Sequence, residues 1–162
     1  MNKALSKKIL QMVKKDQKMR KRAIKNRDKW DNKIDKINTK ELKKIVSKNS
    51  WPDIDLVGKN SSNGAWLLIQ HADHDVKFQK KCLKLMKEKM RDKKVALQNI
   101  AYLTDRIKVN QKMPQLYGTQ FYVNKDKKFV PRPIRDKNNL DKRRRKFNLE
   151  SFVKYKRNLI KL

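Results

Sequence analysis

Residues 1–51 contain neither proline nor glycine, and this stretch constrains the fold more than any other feature of the chain. Both residue types interrupt helices, so their absence favours long helices. Apolar residues recur there at loosely helical spacing among charged ones. The pattern predicts a long, mostly exposed helix over residues 5–37, broken at most once. A second, short helix is expected to begin at Asn38, because Glu41 completes a capping box three residues later.

The rest of the chain also predicts a mainly α fold, because three glycines and four prolines are too few for a sandwich or barrel. The clearest apolar stripe covers residues 64–90 and predicts a core helix, and a second helix is predicted over residues 95–109. Residues 117–130 predict an extended segment or a short hairpin around a polar turn. A last helix is expected from residue 140. We therefore predict a helical core of two to four helices with basic helical extensions at both ends.

A loop is predicted between the first segment and the core helix. Residues 49–63 are rich in Asn, Ser, Asp and Gly, which is typical of a connection, and Ser61 or Ser62 is expected to cap the helix that follows. The predicted organisation is a basic helical extension over residues 1–37, a core domain over residues 38–139 and a basic C-terminal helix over residues 140–162.

Charge is the strongest functional signal. The chain has 46 Lys plus Arg against 16 Asp plus Glu, a net charge of +30 at pH 7. Self-repulsion of this size indicates an anionic partner, and the predominance of lysine favours contacts with a nucleic-acid backbone over reading of bases. The expected partner is nucleic acid or another polyanion. The residues expected to contact it lie in two clusters: Lys14, Lys15, Arg20, Lys21, Arg22, Lys142, Arg143, Arg144, Arg145 and Lys146.

Cysteine content and hydropathy indicate the cellular compartment. Cys82 is the only cysteine, so no intramolecular disulfide can form. No run approaches the roughly 20 apolar residues of a membrane span, and the N-terminus lacks the apolar stretch of a signal peptide. We expect an intracellular protein of the cytoplasm or nucleus.

Both histidines lie in the segment Gln70-His71-Ala72-Asp73-His74-Asp75. On a continuous helix His71 and Asp75 share a face, because they are four residues apart. The pair would then form a general base oriented by a carboxylate, two metal ligands that need a third, or a local structural hydrogen bond. No zinc, metalloprotease or phosphate-loop motif is present, so the sequence predicts no metal site and leaves any cofactor unknown.

Three motifs occur in order along the chain. They are Gln70-His71-Ala72-Asp73 with Phe78-Gln79, then Ala101-Tyr102-Leu103-Thr104-Asp105-Arg106, then Pro114-Gln115-Leu116-Tyr117-Gly118-Thr119-Gln120. Together with Trp51-Pro52, Val57-Gly58, Pro133-Ile134 and Arg143 or Arg144, they resemble a functionally uncharacterised domain family of bacteria and large DNA viruses. The resemblance covers roughly residues 38–155 and supplies candidate positions without a mechanism. The basic first helix and the arginine run are expected to be additions to that family's domain.

The motif residues are polar groups that packing alone does not require. Candidate ligand-binding residues are Gln70, Asp73, Arg106, Gln115, Tyr117, Gly118, Thr119 and Gln120, and candidate catalytic residues are His71, Asp75 and Asp105. Arg106 would hold an anion, and Gly118 would let a ligand approach the backbone. We expect His71, Asp105, Arg106, Tyr117 and Gln120 to converge in one cleft. The alternative is a buried polar network that fixes the extended segment.

Two functions follow from these observations. In the first, the protein binds a polyanion, as a nucleic-acid-associated protein or as a component of an assembly with other proteins, such as a virion if the chain is viral. In the second, it is a small enzyme, for example a hydrolase, that acts on a phosphorylated or nucleic-acid substrate. An open cleft at the motif residues favours the enzyme, and a sealed network favours the binding protein.

Overall fold

Helices dominate the computed structural model, which describes residues 1–26 and 30–160. The described part holds eight α-helices and one two-stranded sheet, so the mainly α prediction is confirmed and the prediction of two to four helices was an undercount. The elements form two units, residues 1–96 and 97–162. The first unit contains α1 (Lys3–Lys25), α2 (Asn32–Asn49), α3 (Ile54–Val57), α4 (Lys59–Gln70) and α5 (Val76–Glu88). The second contains α6 (Leu97–Asn110), β1 (Phe121–Val123), β2 (Phe129–Pro131), α7 (Leu140–Lys146) and α8 (Phe152–Ile160).

Helix α1 is a core element of the first unit. Asn2 caps it by accepting the Leu5 backbone N–H at 3.0 Å. It packs against α4, α2 and α3. One stripe of its surface is buried, at Ile9, Met12, Asp16, Met19 and Ala23. The predicted boundaries at residues 37/38 and 139/140 do not coincide with the boundary between the two units.

Helices α1 and α4 approach closely at Gly64. A β-carbon placed on Gly64 would lie 3.0 Å from Val13 Cγ2 and 3.3 Å from Ile9 Cγ2. One turn away, the hydroxyls of Ser6 and Ser61 are 2.7 Å apart and hydrogen-bonded. Small residues therefore let the backbones of α1 and α4 approach closely. This contact also brings side chains towards the C-terminal ends of the two helices close together.

The predicted core helix over residues 64–90 is two helices, α4 and α5. The predicted helix is interrupted before Asp75. The carboxylate of Asp75 accepts the Phe78 backbone N–H at 2.9 Å and caps the start of α5. The predicted caps were also wrong. Asp31 caps α2 in place of Asn38, and Ser61 lies inside α4, within residues predicted to be a loop.

The short hairpin predicted in residues 117–130 is confirmed. Strands β1 and β2 pair antiparallel, with Phe121 opposite Pro131 and Val123 opposite Phe129. The predicted C-terminal helix is instead two helices, α7 and α8, because Asp141 accepts the Phe152 backbone N–H at 2.7 Å and starts the second. None of the described helices is long and apolar enough to cross a membrane.

Candidate functional site

Four ionisable side chains meet inside the first unit, and we call them the Asp16 cluster: Asp16, Arg20, Asp35 and His71. Asp16 has no exposed surface. Its Oδ1 lies 3.0 Å from His71 Nδ1, and Arg20 Nε lies 3.2 Å from both of its carboxylate oxygens. Arg20 Nη2 donates to Asp35 Oδ1 at 2.6 Å. The guanidinium thus joins two carboxylates and lies beside an imidazole.

Three helices supply these groups. Asp16 and Arg20 occur four residues apart on α1 and share a face. Asp35 comes from α2, and His71 is the residue that ends α4. The close α1–α4 contact at Gly64 therefore positions the imidazole beside the Asp16 carboxylate.

The hydrogen bonds assign roles within the Asp16 cluster. Arg20 Nε is also 3.0 Å from His71 Nδ1, but a ring nitrogen that donates to Asp16 cannot accept from Arg20. A carboxylate is the stronger acceptor, so Nδ1–H donates to Asp16 and the Arg20 N–H is shared by the carboxylate oxygens. Nδ1–H can donate in this way whether the imidazole is neutral or protonated; in the neutral form Nε2 keeps its lone pair, and Nε2 has no hydrogen-bond partner among the described residues.

Burial and neighbouring charges have opposite effects on the pKa values of Asp16 and Asp35. Burial raises the pKa of Asp16, but the hydrogen bond and charge of His71 and the charge of Arg20 lower it below its ordinary value on balance. For Asp35 burial dominates, and the pKa is raised although Arg20 opposes the shift. The cluster therefore favours the ionised form of Asp16 and disfavours that of Asp35.

The Asp16 cluster also resembles a metal site in composition. One ligand atom each from Asp16, Asp35 and His71 lies within 4.8 Å of the others. The Arg20 guanidinium, however, is within hydrogen-bonding distance of all three. A divalent ion would have to displace the guanidinium, which already supplies the positive charge that these ligands require.

The structure changes the predicted partner of His71. Asp75 caps α5 and forms an ion pair with Lys43, so it does not orient His71, and the interruption between α4 and α5 removes their shared face. Sequence reasoning missed Asp16. The signal was present, because Asp16 is the only acidic residue of α1 and lies in phase with the apolar stripe that includes Met12 and Met19.

A second polar network lies in the second unit, around Asp105. This carboxylate, fully buried on α6, accepts the backbone N–H groups of Leu116, Tyr117 and Thr119 at 2.7–3.1 Å. It also accepts the Thr119 hydroxyl at 2.9 Å. Burial raises the pKa of the Asp105 carboxyl, and the backbone donors oppose the shift. Asp105 therefore anchors the segment after α6, and its predicted catalytic role stays a prediction.

Gln115 has a comparable role. Its side chain is fully buried, and Nε2 donates at 2.9 Å to the carbonyls of both Gln120 and Arg132. Its Oε1 accepts the Gln120 backbone N–H at 2.8 Å. The side-chain amide thus joins the chain entering the hairpin to the chain leaving it. The predicted ligand-binding role of Gln115 stays a prediction.

Gly118 also serves packing rather than ligand approach. Its φ is 68°, and a β-carbon there would lie 2.7 Å from Phe152 Cε2. The ring of α8 therefore occupies the space that the prediction assigned to a ligand. Beside it, the Tyr117 ring is buried against Phe147, with centroids 4.9 Å apart.

Two arginines of the basic run belong to this network as well. Arg144 is 1% exposed, and it donates to the carbonyls of Glu150 and Tyr117. Arg143 donates to the Leu116 carbonyl at 2.9 Å and pairs with Asp136. Because Arg144 is buried, the prediction that it contacts a nucleic acid was wrong. The run instead holds the loop after α6 in place.

The residues of the predicted cleft are distributed over both units. Asp105, Tyr117 and Gln120 come together in the second unit, where the Gln120 side chain also donates to Thr119 Oγ1 at 3.1 Å. Arg106 is half-buried on α6. In the first unit, Gln70 is buried at the end of α4 and Asp73 accepts from Gln79 at 3.3 Å. Convergence of these groups with His71 stays a prediction.

Comparison with known proteins places the chain in a family. A family described as of unknown function, DUF6624, matches residues 3–161. The chain belongs to the DUF6624 family. No curated protein and no solved structure matches it.

The DUF6624 match corrects the extent of the sequence resemblance. That resemblance began near residue 38 and treated the basic first helix and the arginine run as additions. The match begins at residue 3 and ends at residue 161, so it includes both α1 and α7. The burial of Asp16 and Arg144 explains why these segments are parts of the folded domain.

The DUF6624 domain of this chain also has a basic surface. Seven of the ten predicted nucleic-acid contacts are exposed: Lys14, Lys15, Lys21, Arg22, Lys142, Arg145 and Lys146. Arg20, Arg143 and Arg144 are occupied by the internal contacts described above. The exposed positions on α1 lie outside its buried stripe.

Proposed function

We propose that this protein binds a polyanion, and nucleic acid in particular, through the exposed basic face of α1. The supporting observation is an unneutralised row of cations. Helix α1 has a single acidic residue, Asp16, and that residue is buried. From Lys14 to the end of α1, the exposed cations that form no ion pair with any described residue are Lys14, Lys15, Lys18, Lys21, Arg22 and Lys25.

The row matches the charge spacing of a nucleic-acid backbone. From Lys14 to Lys25 the helix rises about 16 Å, at 1.5 Å per residue. Phosphates of one strand recur about every 3.4 Å along a duplex axis, so the row spans on the order of five of them. Lysine contacts phosphate without reading base edges, which supports binding with little sequence preference.

A second basic surface in the first unit supports the same function. On α5 and the turn that follows it, a concavity is lined by four cations and one acid, Lys80, Lys84, Lys87, Arg91 and Glu88, together with Leu83. The net positive charge of this surface adds attraction for phosphate at a distance, which accelerates association at low salt.

The second unit favours a scaffold over a catalytic pocket. Asp105, Gln115 and Arg144 are buried and use their polar atoms on backbone groups. Such a network pins a loop and leaves these three side chains engaged, so it does not supply the free acids and bases that a hydrolytic site requires.

The proposal is tested by fluorescence anisotropy with a labelled duplex of random sequence at low salt. We expect the double substitution Lys14→Gln and Lys21→Gln to weaken binding severalfold. The matched control is Lys8→Gln with Lys44→Gln, which removes two lysines that are both ion-paired with Glu41. Equal affinity of the two double variants, or no binding by the wild type, would reject the proposal.

The Asp16–His71 pair supports a second candidate function, general-base catalysis. Asp16 orients the imidazole through Nδ1, and Nε2 has no partner among the described residues. A proton acceptor held in this way can activate water toward a phosphodiester. The test is hydrolysis of bis(p-nitrophenyl) phosphate by the wild type and by His71→Gln. Equal rates, at the level of the buffer blank, would eliminate this candidate.

A further inference from the structure

The hairpin of the second unit has two chemically different faces. Alternation along β1 and β2 places Phe121, Val123, Phe129 and Pro131 on one face. The Phe121 ring stacks on Phe129 with centroids 5.0 Å apart and lies 6.2 Å from the Phe152 ring of α8. Phe121 thus packs this face against α8, while Val123 and Phe129 remain exposed.

The opposite face presents one aromatic ring among cations. Tyr122 is 37% exposed, and the Arg132 guanidinium lies 4.4 Å from its ring centroid. Lys128 lies opposite Asn124, two residue pairs from Tyr122, and is therefore on the same face because strand side chains alternate. Lys125 and Lys127 of the connecting turn are exposed as well.

Packing does not account for the position of Tyr122. Tyr122 lies on the face opposite Phe121, the strand residue that contacts the α8 rings, and Val130, directly opposite Tyr122, is the only other apolar residue of the two strands on this side. The ring is instead held in place by a stacked guanidinium. A fixed, exposed ring beside cations has the elements of a stacking platform for an unpaired base, with neighbouring charges that hold the adjacent phosphates.

We propose that the Tyr122 face of the hairpin binds single-stranded nucleic acid by stacking an unpaired base on the Tyr122 ring. The inference rests on the proposed function and refines its substrate class. Bases in a duplex are already stacked on one another and are not free to lie on a protein ring. The hairpin therefore confers a preference for single strands that the lysines of α1 do not provide.

The experiment compares a labelled 15-nucleotide oligo(dT) with a duplex of the same length, at equal salt. Tyr122→Ala is expected to weaken binding of oligo(dT) about fivefold or more, the effect of losing one stacked base, while duplex binding stays unchanged. Tyr122→Phe retains the ring and is expected to bind as the wild type does. Val153→Ala is the matched control, because Val153 is an apolar side chain of the same unit with 74% exposure.

The outcomes separate this inference from the proposed function. If Tyr122→Ala binds oligo(dT) as tightly as Val153→Ala does, the stacking inference is overturned while charge-based binding stands. Equal weakening on oligo(dT) and on duplex would also overturn it, because such a loss reflects charge or fold and not stacking. If the wild type binds neither nucleic acid, both proposals fail. Circular dichroism melting of each variant confirms that the compared proteins are folded.

Discussion

Nδ1 of His71 lies 3.0 Å from Oδ1 of Asp16, a carboxylate with no exposed surface that is 55 residues away in the sequence. The pair joins the end of α4 to the middle of α1. An ionised carboxylate without solvent is stable only while its partners remain, so the contact ties the fold of the first unit to its charge state.

Replacing Asp16 by Ala is expected to destabilise the protein by about 3 kcal/mol or more, because Arg20 and His71 lose a buried partner. The measurement is urea unfolding monitored by circular dichroism. Asp75→Ala serves as the comparison, since it removes a helix cap and is expected to cost only about 1 kcal/mol. Equal losses in the two variants would contradict the assigned role of Asp16.

Acid should remove the stability that ionised Asp16 provides. Its pKa is lowered in the folded protein, below the ordinary value of 3.8 that applies to the unfolded chain. The contribution is therefore fully present above pH 3.8 and is lost as the pH falls through the folded-state pKa. We expect the difference in unfolding free energy between wild type and Asp16→Asn to shrink below pH 4. A constant difference from pH 6 to pH 2 would show that the pKa is not lowered.

Gly118→Ala should destabilise the second unit by more than about 1 kcal/mol, because alanine disfavours the positive φ and its methyl group would meet the Phe152 ring. Thermal unfolding measures the loss. Adding Phe152→Leu to the alanine variant should recover part of it by removing the clash. Partial recovery would show that the positive φ and the contact with Phe152 both contribute to the loss. An unchanged melting temperature in Gly118→Ala would contradict the packing role of Gly118.

Cys82 is expected to be unreactive in the folded protein. It is fully buried, and burial raises the pKa of its thiol to about 12, so the thiolate is scarce at neutral pH. A thiol reagent such as DTNB at pH 8 should react slowly with the native protein and rapidly in denaturant. Fast reaction without denaturant would show that α5 opens readily.

Local patterns predicted the fold class and the hairpin, whereas long-range contacts decided the candidate site. Helical periodicity and the alternation near residues 121–131 depend on neighbours in sequence, so the sequence alone predicted them. Pairing of Asp16 with His71 depends on the close α1–α4 contact at Gly64, which no local pattern encodes. The break between α4 and α5 was missed because the apolar stripe continues through it. The side chain of Asp75 caps a new helix there, and hydrophobic periodicity does not reveal such a cap.

The second unit shows the same limit for Asp105 and Gln115. Their residue types suit a ligand pocket and a buried network equally well. What separates the two is whether their hydrogen-bonding atoms are already used, and this depends on the path of residues 115–120 across α6. The structure shows those atoms bonded to the backbone.

The salt dependence of duplex binding tests the central claim most directly. Log Kd plotted against log salt should be steep, with each neutralised phosphate contributing about 0.9 to the slope. Removing Lys14 and Lys21 should reduce the slope by about 2, while the Lys8 and Lys44 control leaves it unchanged. A flat plot for the wild type, or equal slopes for the three proteins, would contradict polyanion binding by the exposed face of α1.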